Sequence, residues 1–534
     1  MVWSRLSGAA AGLPTRLAPL LGALLVLLLA GCGSLPMSTA PVPSTALPAQ
    51  ADSPLARLAS EASPAPDLSG LRLLPLGPFA LDTRLQLVRR AVHSLDVQYY
   101  VLDNDSTGRL LLRQLYEAAA RGVRVRLLVD DLYTTHTDAL LRALAATPNV
   151  EVRLFNPFCC ARRHGLALRF AASLFEIPRL DHRMHNKLLL ADGAMAVAGG
   201  RNIADDYFLR GAEANFVDMD VLAVGAVVHE LATIFDLYWN SPVVRPIQDV
   251  TPADGSAEDM RHGFEAATAD TPTMLPLSLP EVDVLGYGPL RDDFEGGRLG
   301  LIWGHAAAIA DPPDKLSRSA EAAFDSSLAN QALMKIWNAK SEVTLTSPYL
   351  IPGPMGMESF RALGQRGVKV TVLTNSLAAT DEPLVHTGYS RYRIGLIDSG
   401  VDLYELSPTR TRHNKRLGMF GSSLGRLHAK TAVVDGDKTF IGSMNLDPRS
   451  RTRNTELGVF IESPQLAREV LRVVKVSRLQ SAYRVRRSPQ THQLQWLALD
   501  DEQGEVLLND EPESSIWLKL HNWLLGWFVP EQLL

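Results

Sequence analysis

Two short segments of this 534-residue chain carry the same reactive side chains at the same spacing: His185, Lys187 and Asp192 in one, His428, Lys430 and Asp435 in the other, both of the form H-x-K-x4-D. An imidazole can attack as a nucleophile and can take or give a proton, and an ammonium group fixes positive charge beside an anion. Histidine and lysine two residues apart share one face of a strand, so each copy can present both to a single cavity. Each copy also has an asparagine 17 residues beyond its histidine, in Gly199-Gly200-Arg201-Asn202 and Gly442-Ser443-Met444-Asn445. Small residues at a strand end let the backbone turn and bring such an amide toward a phosphate. Acidic residues follow, Asp218 and Asp220 after the first copy and Glu456 after the second. A carboxylate accepting from one ring nitrogen would fix the tautomer and orientation of its histidine. Isolated histidines such as His164, His262 and His305 lack this company and read as packed or exposed residues.

The elements that must position these residues recur as well. Apolar spacing predicts a helix over 85–91, a strand over 94–102, a helix over 108–120 and a strand over 123–129, with Arg121-Gly122 as the stop between the last two. A helix over 331–337, a strand over 342–346, a helix over 357–363 and a strand after Arg366-Gly367 repeat that order. Arg366 follows Arg121 by 245 residues and His428 follows His185 by 243. A flanking strand has therefore moved with the motif, which points to duplication of a whole domain. Alternating helices and strands argue for an α/β fold. The expected organisation is a signal peptide over 1–32, an extended Pro/Ala/Ser-rich tether over 33–67, a first α/β domain over 68–248, a polar, turn-rich linker over 249–285, and a second α/β domain over 286–534. The last of these ends in an apolar, tryptophan-rich stretch over 516–528, expected to pack in the core, with an interfacial helix pressed on lipid as the alternative.

A net charge of −5, with 46% hydrophobic and 21% charged residues, describes an ordinary globular chain and excludes a disordered or polytopic membrane protein. Ten of the 53 basic residues are lysine, and two of those ten belong to the repeated motif. The basic runs over 410–416 and 449–453 flank the second motif and read as solvated loops or as collectors of anionic groups. Cys159 and Cys160 are adjacent, a placement that rarely reaches disulfide geometry, and no spaced His/Cys cluster suggests zinc. No metal or cofactor is expected. The third cysteine, Cys32, follows a basic flank at Arg5 and Arg16 and an apolar run over 17–30. That run would rise only about 21 Å as a helix, short of a bilayer core of roughly 30 Å. Leu29-Ala30-Gly31-Cys32 resembles a bacterial lipobox, which implies cleavage before Cys32 and lipidation there. Gly33, where an aspartate commonly signals retention in the inner membrane, leans the expectation toward a periplasm-facing lipoprotein of the outer membrane.

The paired H-x-K-x4-D segments, with Gln98-Tyr99-Tyr100 and Ser347-Pro348-Tyr349 on the preceding strands, resemble the HKD motifs of the phospholipase D superfamily, and the resemblance runs from about Leu71 to the C-terminus. Within that superfamily the chain is most similar to bacterial cardiolipin synthases of the type C branch. The resemblance implies two duplicated α/β/α sandwich domains packed around one shared active site. It also implies His185 as nucleophile, forming a phosphatidyl-histidine intermediate, and His428 as acid/base. An anionic phosphodiester repels nucleophiles, so Lys187, Lys430, Asn202 and Asn445 would bind its oxygens, while Asp192 and Asp435 would hold the motif turns. The implied reaction is phosphatidyl transfer between membrane phospholipids, with phosphatidylglycerol or phosphatidylethanolamine as substrates. Hydrolysis to phosphatidic acid, a secreted nuclease and an inactive envelope lipoprotein are the alternatives. Against a nucleic-acid partner stand the tether and the acidic balance, since such binders carry a basic footprint.

Overall fold

A computed structural model describes residues 41–162, 164–271, 279–500, 504–525 and 530–531. Cys32 and the apolar run before it lie outside these residues, as do 272–278 of the expected linker and 526–529 of the C-terminal stretch.

Residues 41–62, expected as extended tether, lie along the first domain instead. Arg153 and Arg126 donate to the carbonyls of Val42 and Ser44 at 2.9 and 3.0 Å, and the amide of Ala46 donates to Asp236. Helix α1 (Pro54–Ala62) begins on a Ser53 cap and buries Leu55, Ala56 and Ala59. Pro54 at the first turn is pre-set for a helix start, and a single apolar stripe suffices to seat so short an element. The prolines around it masked that stripe in the sequence.

The strands of the first half are β1 (Ser69–Leu74), β2 (Ser94–Tyr99), β3 (Arg124–Asp130), β4 (Val150–Phe155), β5 (Leu188–Ala191), β6 (Met195–Gly199), β7 (Ala214–Val217), β8 (Asp220–Gly225) and β9 (Val244–Pro246). All but β7 form a sheet in the spatial order β9-β4-β3-β2-β5-β6-β8-β1, parallel over β4-β3-β2 and antiparallel elsewhere. Helices α2 (Gly77–Arg90), α3 (Ser106–Ala120) and α4 (Ala226–Trp239) flank it. β1, β2, β5 and β6 are buried along their whole length. Strands covered on both faces read as apolar runs, as β5 and β6 do, whereas β1 and β2 also bury Arg72, Asp96 and Gln98.

Helix α5 (Ala257–Ala267) occupies the stretch expected as a linker. Ser256 and Asp259 form a capping box at its start, and Met260 and Phe264 pack from one face. The box and the i, i+4 apolar pair were the local signal for it.

In the second half β10 (Ile302–Ala310), α6 (Leu328–Trp337), β11 (Glu342–Thr346), α7 (Gly353–Gln365), β12 (Lys369–Asn375), α8 (Pro383–Ser390), β13 (Val401–Leu406), β14 (Leu424–Leu427), β15 (Thr431–Val434), β16 (Lys438–Gly442), β17 (Leu457–Glu462), α9 (Pro464–Gln480) and β18 (Ala482–Arg487) repeat the plan, with β19 (Leu494–Asp500) and β20 (Gly504–Leu508) added at the edge. The order β18-β13-β12-β11-β15-β16-β17-β10 matches the first half strand for strand. β1 also pairs with β10, Gly70 opposite Trp303, so among the described residues eighteen strands make one continuous sheet. A Cβ on Gly70 would meet the Trp303 ring at 2.8 Å, which ties this glycine to the join.

The C-terminal helix α10 (Ile516–Leu525) corrects the core reading of its segment. It lies on the surface against α8, with Ile516 and Trp517 80% and 78% exposed. Among the described residues no helix is long and apolar enough to cross a membrane.

Candidate functional site

Each motif histidine is delivered by a strand-like segment that pairs, in parallel, with a segment of the opposite half. β14 pairs with β7, placing Leu427 opposite Val217, and the amide of His428 donates to the Val217 carbonyl at 2.8 Å. Met184 bridges Thr455 in the same sense, and the amide of His185 donates to the Thr455 carbonyl, also at 2.8 Å. In-register parallel pairing sets the next residues side by side. His428 therefore stands beside Asp218 and His185 beside Glu456. The Nδ1 of His428 lies 2.6 Å from Asp218 Oδ2, and the Nδ1 of His185 lies 2.9 Å from Glu456 Oε2. The sequence named these carboxylates without pairing each with a particular histidine; the structure exchanges them between halves, because the pairing that carries them crosses the domain boundary.

A carboxylate can only accept, so each bond fixes the proton on Nδ1 and leaves the Nε2 lone pair for chemistry. Burial pulls both imidazoles down to about 4, and at neutral pH both are uncharged. Glu456 offsets part of this at His185, and Asp218 does so at His428. Both Lys187 and Lys430 depress each ring, so charges from the two halves act on both histidines. Burial likewise holds Lys187 well below the usual lysine range and brings Lys430 to about 8. Each ammonium donates to the carbonyl of the histidine two residues before it, at 2.6 Å for Lys187. Tyr100 stands edge-on to His185 with ring centres 4.9 Å apart, and Tyr207 does the same to His428 at 5.0 Å. The arrangement offers two oriented imidazoles and two desolvated cations whose charge an arriving anion would complete.

The remaining sequence candidates divide. Asp192 and Asp435 are not with the histidines. Each follows its motif strand into a turn, at φ 53° with a positive-φ glycine next, and caps backbone amides of the neighbouring strand's entrance: Val92, His93 and Ser94 for Asp192, Lys340, Ser341 and Glu342 for Asp435. Asp-Gly is the pair that a tight type I′ hairpin turn requires. Asp220 orients no histidine; it opens β8 and is buried between Arg84 and Arg201 at 3.0 and 3.2 Å. Gly200 sits so close to Asp218 that a Cβ would collide with the carboxylate, whereas its counterpart Ser443 donates to Glu456 at 2.5 Å. Asn202 donates to the Tyr207 hydroxyl at 2.9 Å and accepts from Val101 at 3.2 Å; Asn445 has a buried side-chain oxygen without a partner among the described residues. Arg449 and Arg453 of the second basic run pair with Asp181 across the halves and are not a solvated loop. Tyr207 and Phe216, both against His428, were missed, since nothing in their spacing repeats in the other copy. Among the described residues Cys159 and Cys160 form no disulfide, and no group of three or more His, Cys, Asp or Glu could hold a metal.

The family model described as cardiolipin synthase, PLD-like domain, matches residues 85–239 and again 333–475. The chain is 39% identical over 474 residues to cardiolipin synthase C of Escherichia coli (strain K12), covering 87% of this chain and 97% of that protein. It is 31% identical over 464 residues to an uncharacterized protein of Helicobacter pylori (strain ATCC 700392 / 26695), covering 85% and 88% respectively. Among solved structures, phosphatidylserine synthase of Haemophilus influenzae Rd KW20 superposes with a TM-score of 0.54 at 14% identity, over 91% of this chain and 97% of that one, a likeness of fold.

Proposed function

The chain belongs to the phospholipase D superfamily, close to cardiolipin synthase C within it, and we propose that it transfers a phosphatidyl group from one membrane phospholipid to another, making cardiolipin and releasing a small alcohol such as glycerol. The observation that carries this reading is the pair of exchanged contacts, His185 with Glu456 and His428 with Asp218, which makes each half incomplete without the other and favours one shared active site. In that site the Nε2 of His185 attacks phosphorus, and the bond from phosphorus to the leaving alkoxide breaks as His428 gives it a proton. The phosphatidyl-histidine then yields to the acceptor. His428 takes the proton of the acceptor hydroxyl, whose oxygen bonds to phosphorus as the bond to His185 breaks. Asp218 steadies the charged form of His428 in this cycle, and the bound anion raises the affinity of that ring for its proton. Lys187 and Lys430 hold the non-bridging oxygens.

Phosphatidylglycerol or phosphatidylethanolamine serves as donor. Cys32 would carry an acyl anchor in the bacterial envelope, facing the periplasm, and the exposed Ile516 and Trp517 of α10 suit contact with lipid headgroups. Vesicles of phosphatidylglycerol given to the purified chain test the reaction. Cardiolipin and glycerol are expected by mass spectrometry, and neither from His185→Ala; phosphatidic acid alone would replace the transferase by a hydrolase.

A further inference from the structure

Between α6, α7 and the short helix Pro448–Thr452 lies an apolar pocket of about 240 Å³, with Leu333, Trp337, Phe360 and Met444 among its walls. Met334 and Met355, 57% and 58% exposed, also line it, so it opens to the surface past two adaptable side chains. One wall is polar. Asn445 is 6% exposed and its side-chain oxygen has no partner among the described residues. Arg451 lies over the Phe324 ring at 4.7 Å, and among the described residues no carboxylate pairs with it.

Both polar groups connect to the reacting centre. Asn445 lies two residues after Ser443, which donates to Glu456, the carboxylate on His185. Arg451 follows Ser450, which donates to the other oxygen of Glu456 at 2.7 Å and accepts from the amide of Asn445. At the equivalent place in the first half a large side chain is buried instead. Phe208 stands six residues beyond Asn202, as Arg451 does beyond Asn445; it is 1% exposed, and the Asn202 amide is satisfied.

A small apolar pocket with a guanidinium on one wall, unpaired with any carboxylate among the described residues, suits a hydrocarbon chain that begins in an ester. Its volume is below that of sites enclosing a whole drug-sized ligand, so it fits a chain segment and not an entire lipid. We propose that this pocket holds the ester end of one acyl chain of a glycerophospholipid substrate, with Arg451 donating to the ester carbonyl and the first methylenes against Leu333, Trp337 and Phe360. The proposal rests on the phospholipid reading of the site. Each methylene withdrawn from water strengthens binding about fourfold, so the pocket makes the enzyme sensitive to acyl length and bulk.

Two substitutions that fill the pocket from different helices, Leu333→Trp and Ser359→Trp, test this in the full chain. Dioleoyl phosphatidylglycerol in mixed micelles is compared with bis(p-nitrophenyl) phosphate, a diester without acyl chains. The ratio of kcat/KM for the lipid to that for the nitrophenyl ester should fall about tenfold in both variants, chiefly through KM. A fall in lipid hydrolysis would assign the pocket to the donor lipid, and a fall confined to transfer would assign it to the acceptor; either upholds it. Cooperative thermal unfolding of each variant establishes that it is folded. Wild type active on the lipid, with the ratio unchanged in both folded variants, overturns the pocket alone. Wild type active only on the nitrophenyl ester overturns the phospholipid reading and the pocket with it.

Discussion

The two halves share a strand order and a pair of exchanged carboxylate–histidine contacts, yet they part company immediately after each motif hairpin. In the first half Asn202 is bonded on both sides, and Tyr207 and Phe208 fill the space behind it. In the second, Ser450 and Arg451 occupy the equivalent positions, Asn445 keeps a free oxygen and a pocket opens. The hairpin turns differ too: Asp192 is fully buried and also accepts from Ser53 at 2.6 Å, whereas Asp435 sits at a half-open turn. The histidine–carboxylate pairs are symmetric and their surroundings differ. The paired groups are constrained by each other across the join, while the walls answer only to their own half.

The symmetric part should be the hardest to break. Glu456→Gln and Asp218→Asn each remove the partner of one histidine and are expected to lower kcat by about a thousandfold, with the double variant little worse, because both act on one site. Steady-state kinetics on a soluble diester check this, and single variants that each keep about half the activity would mean that the halves work independently. The asymmetric part should appear in stability. Asp192→Ala strands three backbone amides, that of Ser94 buried, and the buried Ser53 hydroxyl and is expected to cost roughly 3 kcal/mol, against about 1 kcal/mol for Asp435→Ala, where water can replace the carboxylate. Urea unfolding compares the two, and equal values would remove the distinction. The smallest effect concerns pH. Lys430, lowered by burial to about 8, is charged below that pH and loses its charge as pH rises through it. kcat/KM, which reports the free enzyme, should therefore decline above about pH 8. A profile flat to pH 10 would mean that this ammonium contributes nothing to binding.

The sequence carried the motif residues and most of the sheet because they rest on local signals. The strand expected over 342–346 is β11 itself, and the helix expected over 108–120 starts two residues earlier on an Asp105 cap. The helices expected over 85–91 and 357–363 extend to Gly77–Arg90 and Gly353–Gln365, since Pro78 and Pro354 open their first turns and read as breakers when seen without the fold. The placement of Asp218 and Asp220 was out of reach for a different reason. Alternation on a strand would put them on one face, but the chain leaves strand geometry at 218–219, between β7 and β8, and which one meets a histidine, and from which copy, depends on the pairing of β7 with β14 and of Met184 with Thr455, contacts between segments more than 200 residues apart. The pocket beside Asn445 was equally hidden, because it is defined by what Phe208 fills in one half and Arg451 leaves open in the other.

The most direct test of a single site built from two halves is its covalent stoichiometry. The purified chain, mixed rapidly with a phosphorus-radiolabelled phospholipid and quenched in alkali, where a phosphorus–nitrogen bond survives, should hold at most one label per chain, and peptide mapping should place it on His185. Two labels per chain, or label on both His185 and His428, would contradict it.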